Sequence, residues 1–104
     1  MESVSKILSR YSDNPKKQLE IKERIIDYVS SKQDILDLDE PATVELGDNF
    51  LVIKMIYPLT YERLSDLNRF VGKISADPEN VLMDFRYMML VLMVDLENYY
   101  ILDV

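Results

Sequence analysis

The sequence predicts an α+β fold: an N-terminal αα-hairpin, then a ββαββ arrangement in which helices pack on one mostly antiparallel sheet. Three observations predict it. Apolar residues recur at helical spacing over residues 3–32 and again over 59–74. They alternate over 44–57. They alternate a second time from Val81 through Met93, ahead of a run of seven consecutive apolar residues, Met88 to Val94.

The elements follow in order. Val4, Ile7, Leu8 and Tyr11 fall at i, i+3, i+4 and i+7, one face of a short helix over 3–11, with Ser3 as its N-cap. Ser12-Asp13-Asn14-Pro15 breaks that pattern, and Asn14 and Pro15 suit the N-cap and first position of a second helix running to about Lys32. Its buried stripe is Ile21, Ile25, Tyr28 and Val29, with Leu19 and Ile26 at the margins. Lys16 with Glu20, and Glu20 with Arg24, are spaced to pair on its wet face.

Segment 34–41 holds Asp34, Asp37, Asp39, Glu40 and Pro41, a composition that argues against regular structure and for an acidic linker. Residues 43–57 predict a β-hairpin turning at Gly47-Asp48-Asn49. Val44 and Leu46 point inward from its first strand, and Leu51, Ile53, Met55 and Tyr57 from its second. The opposite face of the second strand, Phe50, Val52, Lys54 and Ile56, has a single charge, which suits a central strand. Pro58 ends it. Thr60 caps a third helix with Leu64, Leu67, Val71 and Ile74 as its buried stripe and Phe70 beside it. Leu59 is placed to staple against Leu64, and Gly72 marks an early C-terminus.

Segment 78–97 admits two readings. As a strand it turns Val81, Met83, Phe85, Tyr87, Met89, Val91 and Met93 to the core, and from Met88 onward its second face is apolar and also requires cover. As a helix opening at Asp77-Pro78-Glu79 it makes the protein mainly α with one β-hairpin. Asp84 and Arg86 favour the strand, where they share a face and can pair; on a helix they lie on nearly opposite faces. Glu97-Asn98 then turns the chain into a last strand over 99–104, with Tyr100, Leu102 and Val104 inward. At 104 residues the expectation is a single domain: a helical hairpin (1–33), an acidic linker (34–41), and the hairpin, helix and C-terminal strands (42–104).

The chain has neither Cys nor His, which excludes disulfides, thiolate nucleophiles and imidazole bases or ligands. With only Gly47 and Gly72, no glycine-rich phosphate loop can form. No cofactor is expected. The net charge of −7 is uneven: residues 1–33 carry seven Lys/Arg against five Asp/Glu, and residues 34–104 five against fourteen. An acidic body is repelled by phosphate backbones and anionic lipid, and favours a basic partner.

Each candidate site competes with a structural role. Asp34, Asp37, Asp39 and Glu40 fit no EF-hand register. They are better read as a solvated linker, or as a docking strip for a basic partner. Phe85 and Tyr87 share a strand face, as base-stacking platforms do, but the RNP pattern is missing and core packing explains them better. Lys6, Arg10, Lys16, Lys17, Lys22 and Arg24 make the first two helices mildly basic. Glu20, Glu23 and Asp27 interrupt the patch and disfavour nucleic-acid binding. Tyr99 and Tyr100 are candidate anchors for a partner, or one faces the core and the other the rim. The N-terminus lacks a signal-peptide layout and the apolar run is too short to span a bilayer, so the expectation is a cytoplasmic protein with no membrane partner.

The function expected from these features is that of a small acidic non-enzymatic protein, binding or regulatory, that acts through a surface. The alternative is a structural homo-oligomer subunit, a homodimer in the simplest case, because the apolar C-terminal strands need cover. A carboxylate enzyme ranks last.

Overall fold

The structure, a computed structural model, describes residues 2–101. Its α+β architecture is the expected class: three helices and a four-stranded antiparallel sheet. Helix α1 spans Val4–Ser9 and α2 spans Pro15–Ser31. The Ser3 hydroxyl accepts from the Lys6 amide, and the Asn14 side chain accepts from Lys17 just ahead of Pro15, as the capping residues predict. Ile21, Ile25 and Val29 of α2 are buried. On its wet face Lys17, rather than Lys16, reaches Glu20, at 3.7 Å.

Strands β1 (Thr43–Leu46) and β2 (Phe50–Ile56) form the first hairpin. Helix α3 spans Tyr61–Ile74, and the Thr60 hydroxyl accepts from the Arg63 amide at its start. Leu67, Phe70, Val71 and Ile74 are buried, but Leu64 stays exposed. Gly72 does not end α3, which runs two residues further to Ile74.

The largest correction falls on segment 78–97. It is neither a helix nor one long strand. Strand β3 (Val81–Arg86) turns at Tyr87-Met88 and returns as β4 (Met89–Asp95), giving the sheet order β1-β2-β4-β3. A strand over all of 81–95 would exceed the usual 3–10 residues, roughly. The turn also changes parity. Across it Phe85 pairs with Leu90 and Met83 with Leu92, so the core side passes from odd to even positions. Leu90, Leu92 and Val94 are the buried side chains of β4, and Met89, Val91 and Met93 face away from the helices. Phe85 and Tyr87, read from sequence as core, are exposed.

The last strand expected over 99–104 does not form within the described residues. Asp95 caps a 3-10 turn at Leu96–Asn98, after which the chain leaves the sheet. Tyr99 and Ile101 are buried and Tyr100 is half-buried, the reverse of the expected parity; Leu102 and Val104 lie outside the described residues. The Tyr99 carbonyl accepts from the Val4 amide at 2.8 Å, so α1 packs against this C-terminal segment as well as turning into α2. The acidic segment also departs from expectation. Its start belongs to a 3-10 turn at Gln33–Leu36, and Leu36 is fully buried.

One buried cluster joins α1, α2, α3 and the helix-facing sides of β2 and β4, with Leu36, Leu96 and Tyr99 closing its edges. The helices cover one face of the sheet. On the other, Phe50, Ile56, Leu82 and Met89 are exposed, and Val52, Val91 and Met93 are half-buried.

Candidate functional site

Twelve large apolar side chains are exposed among the described residues, and six of them lie between Leu82 and Met89. Chance scatter of surface apolar groups needs no explanation, but concentration in one short stretch does. Leu82 is 65% exposed and points to the open side of the sheet, while Met83 and Phe85 sit on the helix side yet remain exposed. Only Val81 in β3 is buried. The helical layer stops at β4, so β3 is an outer strand bare on both faces.

The hydrogen-bond directions show what β3 presents at its free edge. The Tyr57 amide donates to the Met88 carbonyl at 2.8 Å, and Leu96 donates to Asn49 at 2.9 Å. These bonds aim the main-chain groups of the even residues of β4 at β2. By the alternation of an antiparallel ladder, Met89, Val91 and Met93 bond toward β3, to Arg86, Asp84 and Leu82. The amides and carbonyls of Met83 and Phe85 therefore point outward, away from β4. The side chains of Asp84 and Arg86 stand side by side on the open face, Nε to Oδ1 3.8 Å, both well solvated.

The turn that makes this edge is costly. Tyr87 has φ 58°, a left-handed conformation that Gly adopts freely and a side chain with a Cβ resists. Its ring is 97% exposed and makes no return in burial. Below the turn, the Tyr57–Met88 bond and the burial of Val81 fix the hairpin to the core.

Of the four acids singled out from sequence, Asp37, Asp39 and Glu40 sit beside the same end of the sheet, and Asp34 lies outside the cleft they share with it. Asp34, Asp37, Asp39 and Glu40 are all exposed, and none forms an ion pair among the described residues. Their backbone is held firmly. The Arg63 guanidinium donates to the carbonyls of Leu36 and Asp37, the latter at 2.9 Å, and lies 4.8 Å from the Tyr57 ring centroid. Asp37 takes φ 50° to expose its carbonyl to Arg63. The Ala42 amide donates to the Gln33 side chain at 2.8 Å. A cleft of about 200 Å³ brings Asp37, Asp39 and Glu40 together with Ile56, Arg63 and Met88. Among the described residues no three carboxylates converge as metal ligands would.

Tyr99 and Tyr100 part company. Tyr99 is fully buried, and its hydroxyl finds no partner among the described residues. Burial, with a smaller contribution from Tyr28, pushes the Tyr99 phenol well above its usual pKa. Tyr100 is half-buried, and its carbonyl accepts from Ala76 at 3.2 Å. Of the pair only Tyr100 has a surface to offer.

Sequence reasoning missed the β3 edge because the residues at its turn, Tyr87 and Met88, are not turn formers. The available signal was the placing of every Leu after Met89, Leu90, Leu92 and Leu96, at even positions up to the 3-10 turn. Among the described residues, no helix is long and apolar enough to cross a membrane. No protein-family model matches the chain, and neither a curated protein nor a solved structure matches it.

Proposed function

We propose that the protein is a non-enzymatic interaction module, a small acidic binding or regulatory protein. Its working surface is the β3–β4 hairpin with the acidic strip beside it. The observation that carries this reading is the placement, among the described residues, of six of twelve exposed large apolar side chains within Leu82 to Met89. An apolar surface concentrated on a bare edge strand suits a protein partner, which covers side chains and pairs with main chain at once. Asp37, Asp39 and Glu40, which share a cleft with Met88, border that surface with negative charge. The cysteine-free chain suits a reducing cytoplasm.

The test is site-specific photocrosslinking in the native lysate. A photoreactive side chain in place of Tyr87 is expected to give protein adducts, and the same group in place of exposed Asp13, at the start of α2, is expected to give none. Adducts at neither position, or equal adducts at both, would overturn the reading.

A further inference from the structure

We infer that the partner of the β3 edge is a second copy of this chain, joined by antiparallel β3–β3 pairing about a twofold axis through Phe85. The inference rests on the reading of the hairpin as the binding surface, and it names the occupant.

The edge allows few pairings. Only Val81, Met83 and Phe85 direct their amides and carbonyls outward, so a hydrogen-bonded neighbour must pair odd residues with odd residues. A twofold arrangement then has few registers. With the axis at Asp84, that carboxylate opposes its own copy, and like charges directly opposite repel. With the axis at Met83, each Asp84 opposes the partner's Leu82 and each Arg86 the partner's Asn80, so neither charge meets its opposite. With the axis at Phe85 both charges are matched. Asp84 opposes the partner's Arg86 and Arg86 the partner's Asp84. Phe85 opposes the partner's Phe85, and Met83 and Leu82 lie beside the partner's turn residues Tyr87 and Met88. In this register Phe85 exchanges both main-chain bonds with its copy. The two charge pairs fall at the non-hydrogen-bonded sites, where facing side chains come closest.

Asp84 and Arg86 are therefore more than a guard against edge pairing. A charge on an outer strand discourages indiscriminate addition. Two opposite charges two residues apart favour the one register that matches them across a twofold axis. Space permits the arrangement, since every residue from Leu82 to Arg86 is exposed and no helix covers β3. The product is one continuous eight-stranded sheet with both helical layers on the same face. It covers the flanks of Leu82, Met83, Phe85, Tyr87 and Met88, the apolar groups that stand bare in one chain. An interface built on one short strand belongs to the small class, below about 1,200 Å² in total, so association in the micromolar range is expected.

The test is charge reversal followed by mixing, read by sedimentation velocity. The wild-type chain is expected to form a dimer as its concentration rises to about 100 µM. D84R and R86D each place like charges opposite one another, and each is expected to weaken the dimer by about tenfold or more. Both positions are well solvated, so circular dichroism should show the fold retained. An equimolar mixture of D84R and R86D restores both charge pairs across the axis and is expected to assemble again; the double variant D84R/R86D restores them within a homodimer. A wild-type chain that stays monomeric overturns the inference, as does a dimer that both single variants leave untouched. If the chain is monomeric while the probe at Tyr87 captures a different protein, the second copy is excluded and the binding reading stands. If there is neither dimer nor adduct, both fall.

Discussion

The two edges of the sheet receive opposite treatment. Edge strand β1 is four residues long, lies under α2, and turns only Thr43 and Glu45 outward from the core. Edge strand β3 is six residues long, lies under no helix, and exposes Leu82, Met83 and Phe85 on two faces. A short, polar, covered edge is the usual protection against unwanted strand addition. The same chain applies that protection at β1 and withholds it at β3. The contrast teaches that bareness at β3 does not come from a shortage of core. The core-facing side chains of β4 and β2, one and two strands away, are covered, with Leu90, Leu92, Val94, Leu51 and Ile53 all buried.

The comparison can be broken at its strongest point by matched truncations. Leu92→Ala, in the covered layer, is expected to cost about 3 kcal/mol, the lost transfer free energy together with a cavity. Leu82→Ala, on the bare strand, is expected to change monomer stability by less than about 0.5 kcal/mol. Urea titration of dilute protein measures both. Equal losses would mean that β3 is packed as tightly as β4, and the contrast between core strand and edge would be lost.

Next in size is Arg63. It ties the acidic segment to α3 through two carbonyls and stacks on Tyr57, with Nε buried and unpartnered among the described residues. Arg63→Ala is expected to cost about 2 kcal/mol and to raise amide exchange across the 3-10 turn Gln33–Leu36. A loss confined to global stability, with no change in exchange there, would show that the strip is held by something else.

Tyr99 provides a smaller effect with a pH signature. Its buried hydroxyl has no partner among the described residues, so Tyr99→Phe is expected to stabilise by about 1 kcal/mol at neutral pH. Burial raises the phenol's folded-state pKa above the unfolded value of about 10. The neutral form is the one the fold accepts. Its contribution is complete below pH 10 or so and is lost as pH rises from the unfolded toward the folded pKa, by about 1.4 kcal/mol per pH unit. Stability against pH for wild type and Tyr99→Phe should therefore diverge further above pH 10, roughly. Parallel curves would contradict the buried, neutral phenol.

The smallest effect sharpens the contrast at the turn itself. Tyr87→Gly removes the Cβ from a left-handed residue but adds freedom to the unfolded chain, for a net gain below about 1 kcal/mol. If Tyr87→Gly stabilises the monomer yet weakens association, the strained tyrosine serves contact rather than folding. Loss of stability would instead mean that the exposed ring packs in the folded chain.

The pattern of legibility has a physical basis. Helix starts were readable because Ser3, Asn14-Pro15 and Thr60 act locally, through side chains that bond amides three residues on. The first hairpin was readable because Gly47-Asp48-Asn49 carries turn chemistry. The second hairpin was not, because a tyrosine occupies its positive-φ position and local preference yields there to the pairing of β3 with β4. The face assignment of β4 failed for the same reason, since a missed two-residue turn inverts every position after it. At the candidate site, the acids of segment 34–41 were visible as a run of charge. Their anchoring by Arg63, 26 residues away from Asp37, was not. Tyr99 and Tyr100 were separable only once the chain was seen to leave the sheet after Leu96–Asn98.

Everything turns on the claim that the outward-pointing main chain of β3 is a pairing edge for another copy. Amide hydrogen exchange of Phe85 at low and high protein concentration reads that claim directly. The amide should exchange freely when the protein is dilute and slow markedly as concentration rises, while those of Leu82 and Asp84, already bonded to β4, change little. Exchange at Phe85 that is fast at every concentration would contradict it.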